Sequence, residues 1–427
     1  MGIDGSLFTF ASLLRGIAKM EFNTLTLDNG IRLIHQHTNS PVAHCGIIIN
    51  TGSRDELEHQ HGLAHFIEHL IFKGTKKRKA HQILSRMEDV GGEMNAFTTK
   101  EETCLITSFF NNYYSRAFEI LTDILFQSTF PEKEIGKEKD VIIDEINSYK
   151  DSPVEQLYDD FEELIFRDNA IARNILGTQE ALDRYSRQDI LDFFASNYNT
   201  PEIVVSSVGN MSFRRVSEYF KKYFSDIDVR VSSSSRKSYD TSFYKANLVR
   251  QEQNTYQAHC IIGNLAYGNR EDKRMALHLL NNLLGGPSMN SRLHMVLREK
   301  NGLAYNVESN YNTYSDIGII TIYFGTDKED IDKCLGLIHK ELKKTRETQL
   351  GTIQLSRAKR QLIGQLAMAA DNNEHQMISN GRSMLLFDKV DTIKELNDKI
   401  NKISALELME VSNEILDPKN LSQLIFY

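Results

Sequence analysis

Apolar and polar residues alternate along several short stretches of the chain, and apolar residues recur at helical spacing along longer ones. The alternation predicts strands at residues 24–35, 104–110 and 203–208. The helical spacing predicts helices at residues 117–127, 154–167, 188–198 and 214–224. Because consecutive strand-turn-strand segments near the start favour antiparallel pairing, the pattern indicates an α+β fold.

The chain also resembles itself at a distance of half its length. Residues 43–56 (AHCGIIINTGSRDE) resemble residues 258–272 (AHCIIGNLAYGNRED), and in both a strand-like run ends in a Gly/Asn turn. The Ser-rich residues 229–240 lie between the halves and have the composition of a flexible linker. We therefore predict an N-terminal extension at residues 1–21, a first domain at 22–228, a linker at 229–243 and a second domain at 244–427.

The composition is that of an ordinary globular protein, with 25% charged and 41% hydrophobic residues. The formal net charge of −8, with both signs mixed, argues against a nucleic-acid-binding surface. We expect no membrane span, because no apolar run reaches the ~20 residues that cross a bilayer. The apolar residues 7–14 lack the preceding basic residues of a signal peptide.

The four cysteines are dispersed through apolar contexts, without the paired spacing of a disulfide framework or of a zinc site. They are Cys45, Cys104, Cys260 and Cys334. We predict buried free thiols and, with them, a reducing, cytoplasmic location.

The most specific motif of the chain is the sequence His-Phe-Ile-Glu-His at residues 65–69. In a helix, residues four apart differ by about 40° around the axis, so His65 and His69 share one face and can bind one zinc ion. Glu68 lies close enough to hold a water molecule beside the metal. The order is the inverse of the common His-Glu-x-x-His zinc-protease motif. In the second copy of the repeat the motif would fall near residues 281–285, which contain no ligand.

A catalytic zinc ion takes three protein ligands and keeps one position for water, so a third ligand must come from elsewhere. Residues 131–149 have a helical pattern rich in acids, and Glu138 and Glu145 lie two turns apart on one face. This face can pack on the histidine helix, but spacing alone does not choose between the two. We expect the other acids of the segment to be solvated: Glu132, Glu134, Asp140 and Asp144.

His61 lies four residues before His65 and could extend the histidine face, but a glycine follows it at the expected helix start. We expect His61 not to bind the metal. The same expectation holds for His35, His37, His59 and His294.

Four segments, in order along the chain, resemble the M16 (pitrilysin) metallopeptidases, a family that includes insulin-degrading enzyme and the mitochondrial processing peptidases. Residues 62–75 (GLAHFIEHLIFKGT) resemble the family signature. The other segments are residues 91–98 (GGEMNAFT), 138–145 (EKDVIIDE) and 297–305 (LREKNGLAY). The similarity extends from about residue 22 to the C-terminus. It implies two homologous domains, each an antiparallel sheet covered by helices, that face one another across a cavity.

The resemblance also implies roles for individual residues. Glu145 is the third zinc ligand, and Glu138 orients a ligand from behind. The zinc ion polarises the scissile carbonyl and acidifies its water, from which Glu68 takes a proton as general base. Arg298 and Tyr305 contribute substrate binding and contact with the oxyanion.

Residues 93–98 alternate enough to form a strand, and the resemblance makes this strand a sheet edge that binds an extended peptide. The substrate-binding residues implied there are Asn95, Ala96 and Phe97.

We therefore expect a zinc-dependent endopeptidase that cleaves peptides or unfolded segments, with one zinc ion per chain. Large members of the family hold the zinc site and the Arg/Tyr pair in different domains of four, whereas this chain has two. The resemblance thus implies a homodimer, or a heterodimer with a related subunit, in which Arg298 and Tyr305 complete the partner's site. The alternatives are a catalytically inactive scaffold or processing partner, and a peptide-binding module with a closed, structural zinc site.

Overall fold

The computed structural model describes residues 22–232, 236–253 and 255–427. The predicted extension at residues 1–21 lies outside the described residues, as do residues 233–235 of the predicted linker. The described chain forms two sheets covered by helices, which confirms the predicted α+β class. Within these ranges, no helix combines the length and the apolarity that crossing a lipid bilayer requires.

The first sheet is built from strands of the first half. Its strands are β1 (Phe22–Thr26), β2 (Arg32–His37), β3 (Val42–Ile49), β4 (Glu93–Thr98), β5 (Thr103–Phe110) and β6 (Ile203–Gly209). They lie in the order β1-β2-β6-β3-β5-β4, and neighbours are antiparallel except for the parallel pair β2 and β6. The central strands β3 and β6 are rich in Val and Ile because helices cover both faces of the sheet there.

The single strand predicted at residues 24–35 is wrong, because a turn at Asp28, Asn29 and Gly30 divides it into β1 and β2. Gly30 has a φ of +89°, which glycine adopts without strain. The Asn29 side chain supports the turn by donating to the carbonyl groups of Phe224 and Ile227. An Asn-Gly pair between apolar runs is a strong hairpin signal, so this turn could be predicted from the residue types alone.

The second sheet repeats the topology of the first. Its strands are β7 (Leu248–Gln251), β8 (Ala258–Ala266), β9 (Ala304–Thr313), β10 (Gly318–Thr326) and β11 (Ser422–Phe426). Their order, β7-β11-β8-β10-β9, corresponds to β2-β6-β3-β5-β4, and β7 and β11 are again parallel. β3 and β8, which carry the repeated sequence, occupy equivalent places. Each half is therefore a mainly antiparallel sheet with one parallel pair, rather than a purely antiparallel one.

The helices of the first half lie between and after its strands. They are α1 (Leu63–Leu70), α2 (Ala80–Glu88), α3 (Tyr114–Phe126), α4 (Glu132–Lys150), α5 (Pro153–Phe166), α6 (Gln179–Arg184), α7 (Arg187–Asn197) and α8 (Phe213–Phe224). The second half contains α9 (Arg274–Gly285), a π-helical turn (His294–Glu299), α10 (Ile331–Glu347), α11 (Thr352–Ala369), α12 (Asn373–Phe387), α13 (Ile393–Lys402) and α14 (Ala405–Ile415). The four predicted helices are confirmed to within three residues at either end.

Each half contributes one helix to the sheet of the other half. α5 of the first half packs on β8 and β11, where it buries Phe161 and Ile165. α12 of the second half packs on β3 and β6, where it buries Met384 and Leu385. The main core of each half lies between its own sheet and its own remaining helices. The four cysteines are buried free thiols, as predicted.

The described end of the predicted linker is held in place. Arg236 forms an ion pair with Asp55 at 2.8 Å, and the hydroxyl of Tyr239 donates to the carbonyl group of Ile165. In the described part of the predicted linker, Arg236 and Tyr239 thus contact the first half through partly buried polar groups.

Candidate metal centre

Helix α1, which carries the histidine motif, begins at a tightly constrained glycine. Gly62 has a φ of +88°, and a β-carbon there would lie 2.6 Å from the carbonyl oxygen of Leu176. The buried Glu56 carboxylate accepts hydrogen bonds from the backbone N–H groups of Gly62 (2.9 Å) and Ala64 (2.8 Å). These bonds satisfy N–H groups that a helix start leaves unpaired. Glu56 and Gly62 together fix where α1 begins and which way its histidines face.

His65 and His69 lie one turn apart on α1, with their ring centroids 4.7 Å apart. α4 packs against α1 and brings Glu145 to both rings. Glu145 Oε2 is 3.8 Å from Nε2 of His65 and 3.6 Å from Nε2 of His69. Among the residues that the structure describes, these three form the one group of at least three potential metal ligands, with ligand atoms within 4.8 Å of one another.

The donor set of this group fits a zinc ion. Two imidazoles and one carboxylate are the three protein ligands of well-known catalytic zinc sites. Ligand atoms placed ~2.1 Å from one tetrahedral ion lie about 3.4 Å apart, which is close to the separations measured between Glu145 and the two histidines.

Glu138 lies behind His69 and not within the ligand group. Its Oε2 is 3.2 Å from Nδ1 of His69, and its Oε1 is 2.7 Å from Nζ of Lys73. When Nδ1 of His69 carries the proton and donates it to Glu138, Nε2 is unprotonated. Its lone pair is then free to bind a metal on the side of Glu145. His65 has no equivalent support, because its Nδ1 is buried without a hydrogen-bond partner. The geometry thus separates the two carboxylates between which spacing could not choose.

Burial shifts the pKa of two side chains at the centre. It lowers the pKa of His65 to about 3, and the charge of His69 acts in the same direction. His65 is therefore a neutral imidazole, the form that binds metals. Burial raises the pKa of Glu68, although Thr98 and His69 oppose the shift. Glu68 Oε2 is buried without a hydrogen-bond partner, so the carboxylate has a free acceptor and is suited to take a proton.

A cavity of about 280 Å³ opens beside the candidate ligands. It is lined by His65, Glu68, Phe97, Thr98, Glu145, Tyr149, Asp159, Ile175 and Leu176. No lysine or arginine is among these lining residues, so the cavity is acidic. Asp159, on α5, escaped sequence prediction because α5 carries several acids and its pattern does not show which one faces the site. Burial raises the pKa of Asp159 to about 6.

Strand β4 lies at the edge of the first sheet, next to this cavity. It pairs with β5 on one side, and its burial alternates, with Asn95 exposed and Ala96 buried. Phe97 and Thr98 line the cavity. The structure therefore places the three predicted substrate-binding residues on an edge strand beside the ligand group.

Arg298 and Tyr305 pack together, and neither belongs to the ligand group of their own chain or to the residues that line its cavity. The guanidinium of Arg298 lies 4.6 Å from the ring centroid of Tyr305, and Tyr305 is 73% exposed. Neither residue lines the cavity at His65. Arg298 belongs to the π-helical turn, a geometry that is frequent at functional sites, and Tyr305 is the second residue of the edge strand β9.

His61 contacts the backbone carbonyl of Asn174 through Nε2 at 3.0 Å and lies outside the ligand group, as expected. In the second half, α9 follows β8 as α1 follows β3. The described residues of that half contain no group of potential metal ligands.

The described residues form two repeated α+β units, and the candidate metal ligands found among them lie on the first unit. Residues 32–179 match the family described as Insulinase (Peptidase family M16), and residues 184–362 match the Peptidase M16 inactive domain. The chain belongs to peptidase family M16.

Relatives of this chain span nearly its whole length. The protein named uncharacterized zinc protease YmxG, from Bacillus subtilis (strain 168), is 32% identical over 91% of this chain and 93% of its own length. The mitochondrial-processing peptidase subunit beta of Rattus norvegicus is 27% identical over 94% of this chain and 83% of its own length. The crystal structure of a protease from Helicobacter pylori has a TM-score of 0.88 at 19% identity, and the match covers 96% of this chain and 100% of that one. The structural match shows the shared two-domain fold.

Proposed function

We propose that this protein is a zinc-dependent endopeptidase that cleaves peptides or unfolded protein segments. The observation that carries the proposal is the convergence of His65, His69 and Glu145 beside Glu68, whose Oε2 has no hydrogen-bond partner, in one acidic cavity. The names of the relatives, several of which are called zinc proteases, support the same activity.

Each residue of the centre has one chemical task in this proposal. His65, His69 and Glu145 would hold one zinc ion per chain, and Glu138 would orient His69. When bound, the zinc ion supplies Lewis acidity to the attacking water and to the peptide carbonyl. Glu68 accepts the proton that the water gives up and returns it to the amine as the C–N bond breaks. The raised pKa of Glu68 makes its carboxylate a stronger base than an exposed one.

The free edge of β4 would bind the substrate backbone as an added strand. Because the backbone groups of alternate strand residues face opposite sides, only every second residue of β4 offers its N–H and C=O groups to such a substrate. The N–H of Ala96 now donates to Asn95 Oδ1 at 2.9 Å. Such binding requires an extended peptide, which a stably folded protein does not present. We therefore expect the substrates to be peptides or unfolded segments.

Two copies of the chain, or this chain and a related subunit, would complete each other's sites. Arg298 and Tyr305 pack together, Tyr305 is exposed, and neither residue lines the cavity of its own chain. The relative from Rattus norvegicus is itself named a subunit. In a two-fold homodimer, Tyr305 and Arg298 of one chain would reach the metal site of the other and stabilise the oxyanion.

The test is digestion of a peptide mixture by purified protein, with metal analysis of the same sample. We expect near-stoichiometric zinc, cleavage at internal peptide bonds, loss of cleavage with a chelator and recovery when zinc is restored. A stably folded protein in the same reaction should remain intact. Stoichiometric zinc without any peptide cleavage would contradict the proposal.

The same experiment separates the alternatives. An inactive scaffold or processing partner would show neither bound zinc nor cleavage. A peptide-binding module with structural zinc would bind peptides without cleaving them, and removal of the zinc would lower its thermal stability.

A further inference from the structure

We propose that Arg382, a residue of the second half, positions strand β4 for peptide binding. The inference rests on the proposed function, in which the outer edge of β4 binds the substrate backbone. Arg382 lies on α12, the helix that the second half contributes to the first sheet.

One guanidinium group contacts both the strand and the turn that follows it. Arg382 Nε donates to the carboxylate of Glu102, in the turn between β4 and β5. The same guanidinium lies 5.7 Å from the ring centroid of Phe97, the second-last residue of β4. A planar, delocalised cation can stack on a ring while its N–H groups bind a carboxylate, which a lysine ammonium does not reproduce. Arg382 therefore links the substrate strand directly to the second half.

Strand β4 depends on side-chain contacts of this kind because it is an edge strand. β4 pairs through its backbone with β5 on one side, and its opposite side is the one that the proposed substrate would cover. The second half also holds the turn through Ser315, whose N–H and hydroxyl both donate to Glu101 at 2.8 Å. Arg382 differs from Ser315 in that it also reaches a residue of the strand.

Charge adds to the coupling between the strand and α12. Glu102 is 9% exposed, and its burial raises its pKa while Arg382 acts in the opposite direction. A buried carboxylate that loses its cation is left without compensation. We therefore expect the turn, and Phe97 with it, to move when Arg382 is removed.

Helix α1 is anchored by contacts that Arg382 does not share, namely the Glu56 bonds at its start and its packing on α4. Loss of Arg382 should therefore weaken peptide binding more than the chemical step. The expected signature is an increase in KM on the order of 5- to 10-fold, with kcat changed by no more than about twofold.

The test compares Arg382→Met and Arg382→Lys with the matched control Arg32→Met. Arg32 is also a cross-half arginine, because it donates to the carbonyl of Met384 and pairs with Asp388. It lies on β2, however, four positions away from β4 in the sheet order. The control therefore reports a general loosening of the second half without direct contact with β4. Arg382→Lys, which keeps a charge near Glu102, should recover part of the peptide affinity.

The measurements are KM and kcat on a peptide substrate, zinc content, and hydrogen exchange of peptides covering residues 93–102. In Arg382→Met we expect the KM increase, unchanged zinc and faster exchange in this segment, and in Arg32→Met none of these. Unchanged exchange in Arg382→Met, or equal changes in both arginine variants, would overturn the assignment. Because hydrogen exchange needs no catalysis, it tests whether Arg382 anchors β4 even if the wild-type protein cleaves no peptide, which would contradict the proposed function alone.

Discussion

Among single residues, the two carboxylates of α4 differ in what they touch, and this difference determines their expected roles. Glu145 faces Nε2 of both histidines, whereas Glu138 contacts Nδ1 of His69 and the ammonium of Lys73. A residue that binds the metal directly and one that orients a ligand should therefore lose zinc to different extents.

Glu145→Gln should lose most of the bound zinc, because the amide supplies a neutral oxygen in place of a carboxylate. Glu138→Gln should lower zinc affinity only ~10–100-fold, the usual cost of removing a partner behind a ligand. The measurement is zinc affinity by competition with a chromophoric chelator. A greater loss in Glu138→Gln than in Glu145→Gln would reverse the two assignments.

Asp159 should favour substrates with a basic side chain near the scissile bond, because it lies in a cavity that no lysine or arginine lines. Asp159→Asn should reduce this preference about tenfold. The preference is measured as the ratio of kcat/KM for two peptides that are identical except for lysine or methionine at one position. The pKa of Asp159 is raised to about 6, so the carboxylate is charged above that pH and neutral below it. In the wild-type protein the ratio should therefore fall as the pH drops through about 6.

The ratio cancels any pH effect that the two peptides share. Asp160→Asn, on the same helix but not among the residues that line the cavity, is the matched control. A ratio that is independent of pH in the wild-type protein would speak against this role for Asp159.

The residues of the centre were open to sequence prediction to different degrees. His65, Glu68 and His69 lie within one short motif, and helical geometry alone brings them together. Glu145 lies 76 positions after His69, so its place depended on the resemblance to the M16 family. Asp159 gave no signal, because the packing of α5, and not its pattern, turns that side chain towards the cavity.

At the level of whole elements, α5 and α12 make the two halves depend on each other, because each half covers part of its sheet with a helix from the other half. Gly263 on β8 makes room for α5, because a β-carbon there would lie 2.8 Å from a ring carbon of Phe161. Phe161 is fully buried against the second sheet although it belongs to the first half.

Phe161→Ala should destabilise the protein by about 3–5 kcal/mol, the usual cost of emptying a buried phenylalanine site. The expected measurement is a lower thermal unfolding midpoint, together with faster proteolysis within the second half, where the cavity opens. Phe243→Ala, at a phenylalanine that is 76% exposed, is the control and should have little effect. Equal midpoints for the two variants would mean that α5 contributes nothing to the second core.

Hydrophobic periodicity predicted the existence of α5 but not its partner, and the pattern gave no prediction for α12. The pattern shows which face of α5 is buried, but it does not show which of the two sheets covers that face. This mutual covering of the sheets explains why the halves are not independent modules, although their topologies repeat. The turn at Asn29 and Gly30, by contrast, could be predicted from its residue types.

Across the whole molecule, a buried ion-pair network fixes the orientation of the two halves. The Arg54 side chain is 1% exposed and lies 2.7 Å from Glu101 and 2.6 Å from Asp316. Glu101 belongs to the turn after β4, and Asp316 to the second half. Because the loss of one partner would leave a buried charge uncompensated, this contact strongly favours one arrangement of the halves.

The proposed dimer is tested by mixing two inactive chains. His65→Ala lacks a metal ligand but keeps Tyr305, and Tyr305→Phe binds the metal but lacks the hydroxyl. After subunit exchange with random pairing, half of the dimers are mixed and each has one complete site, so about a quarter of wild-type activity should return. If the mixture stays inactive despite proven exchange, Tyr305 acts within its own chain or not at all. The matched control mixes wild-type chains with the double variant His65→Ala/Tyr305→Phe. In that mixture the mixed dimers contain no complete site.

The most direct measurement of the central claim is the activity and zinc content of Glu68→Gln. The amide keeps the shape of the side chain but cannot accept a proton, so kcat/KM should fall ~10²–10⁴-fold while zinc stays bound. Glu218→Gln, at an exposed position on α8, is the control for the same chemical change and should behave as the wild type. Wild-type activity in Glu68→Gln, with zinc still in place, would contradict the claim that Glu68 is the base of a zinc-dependent peptidase.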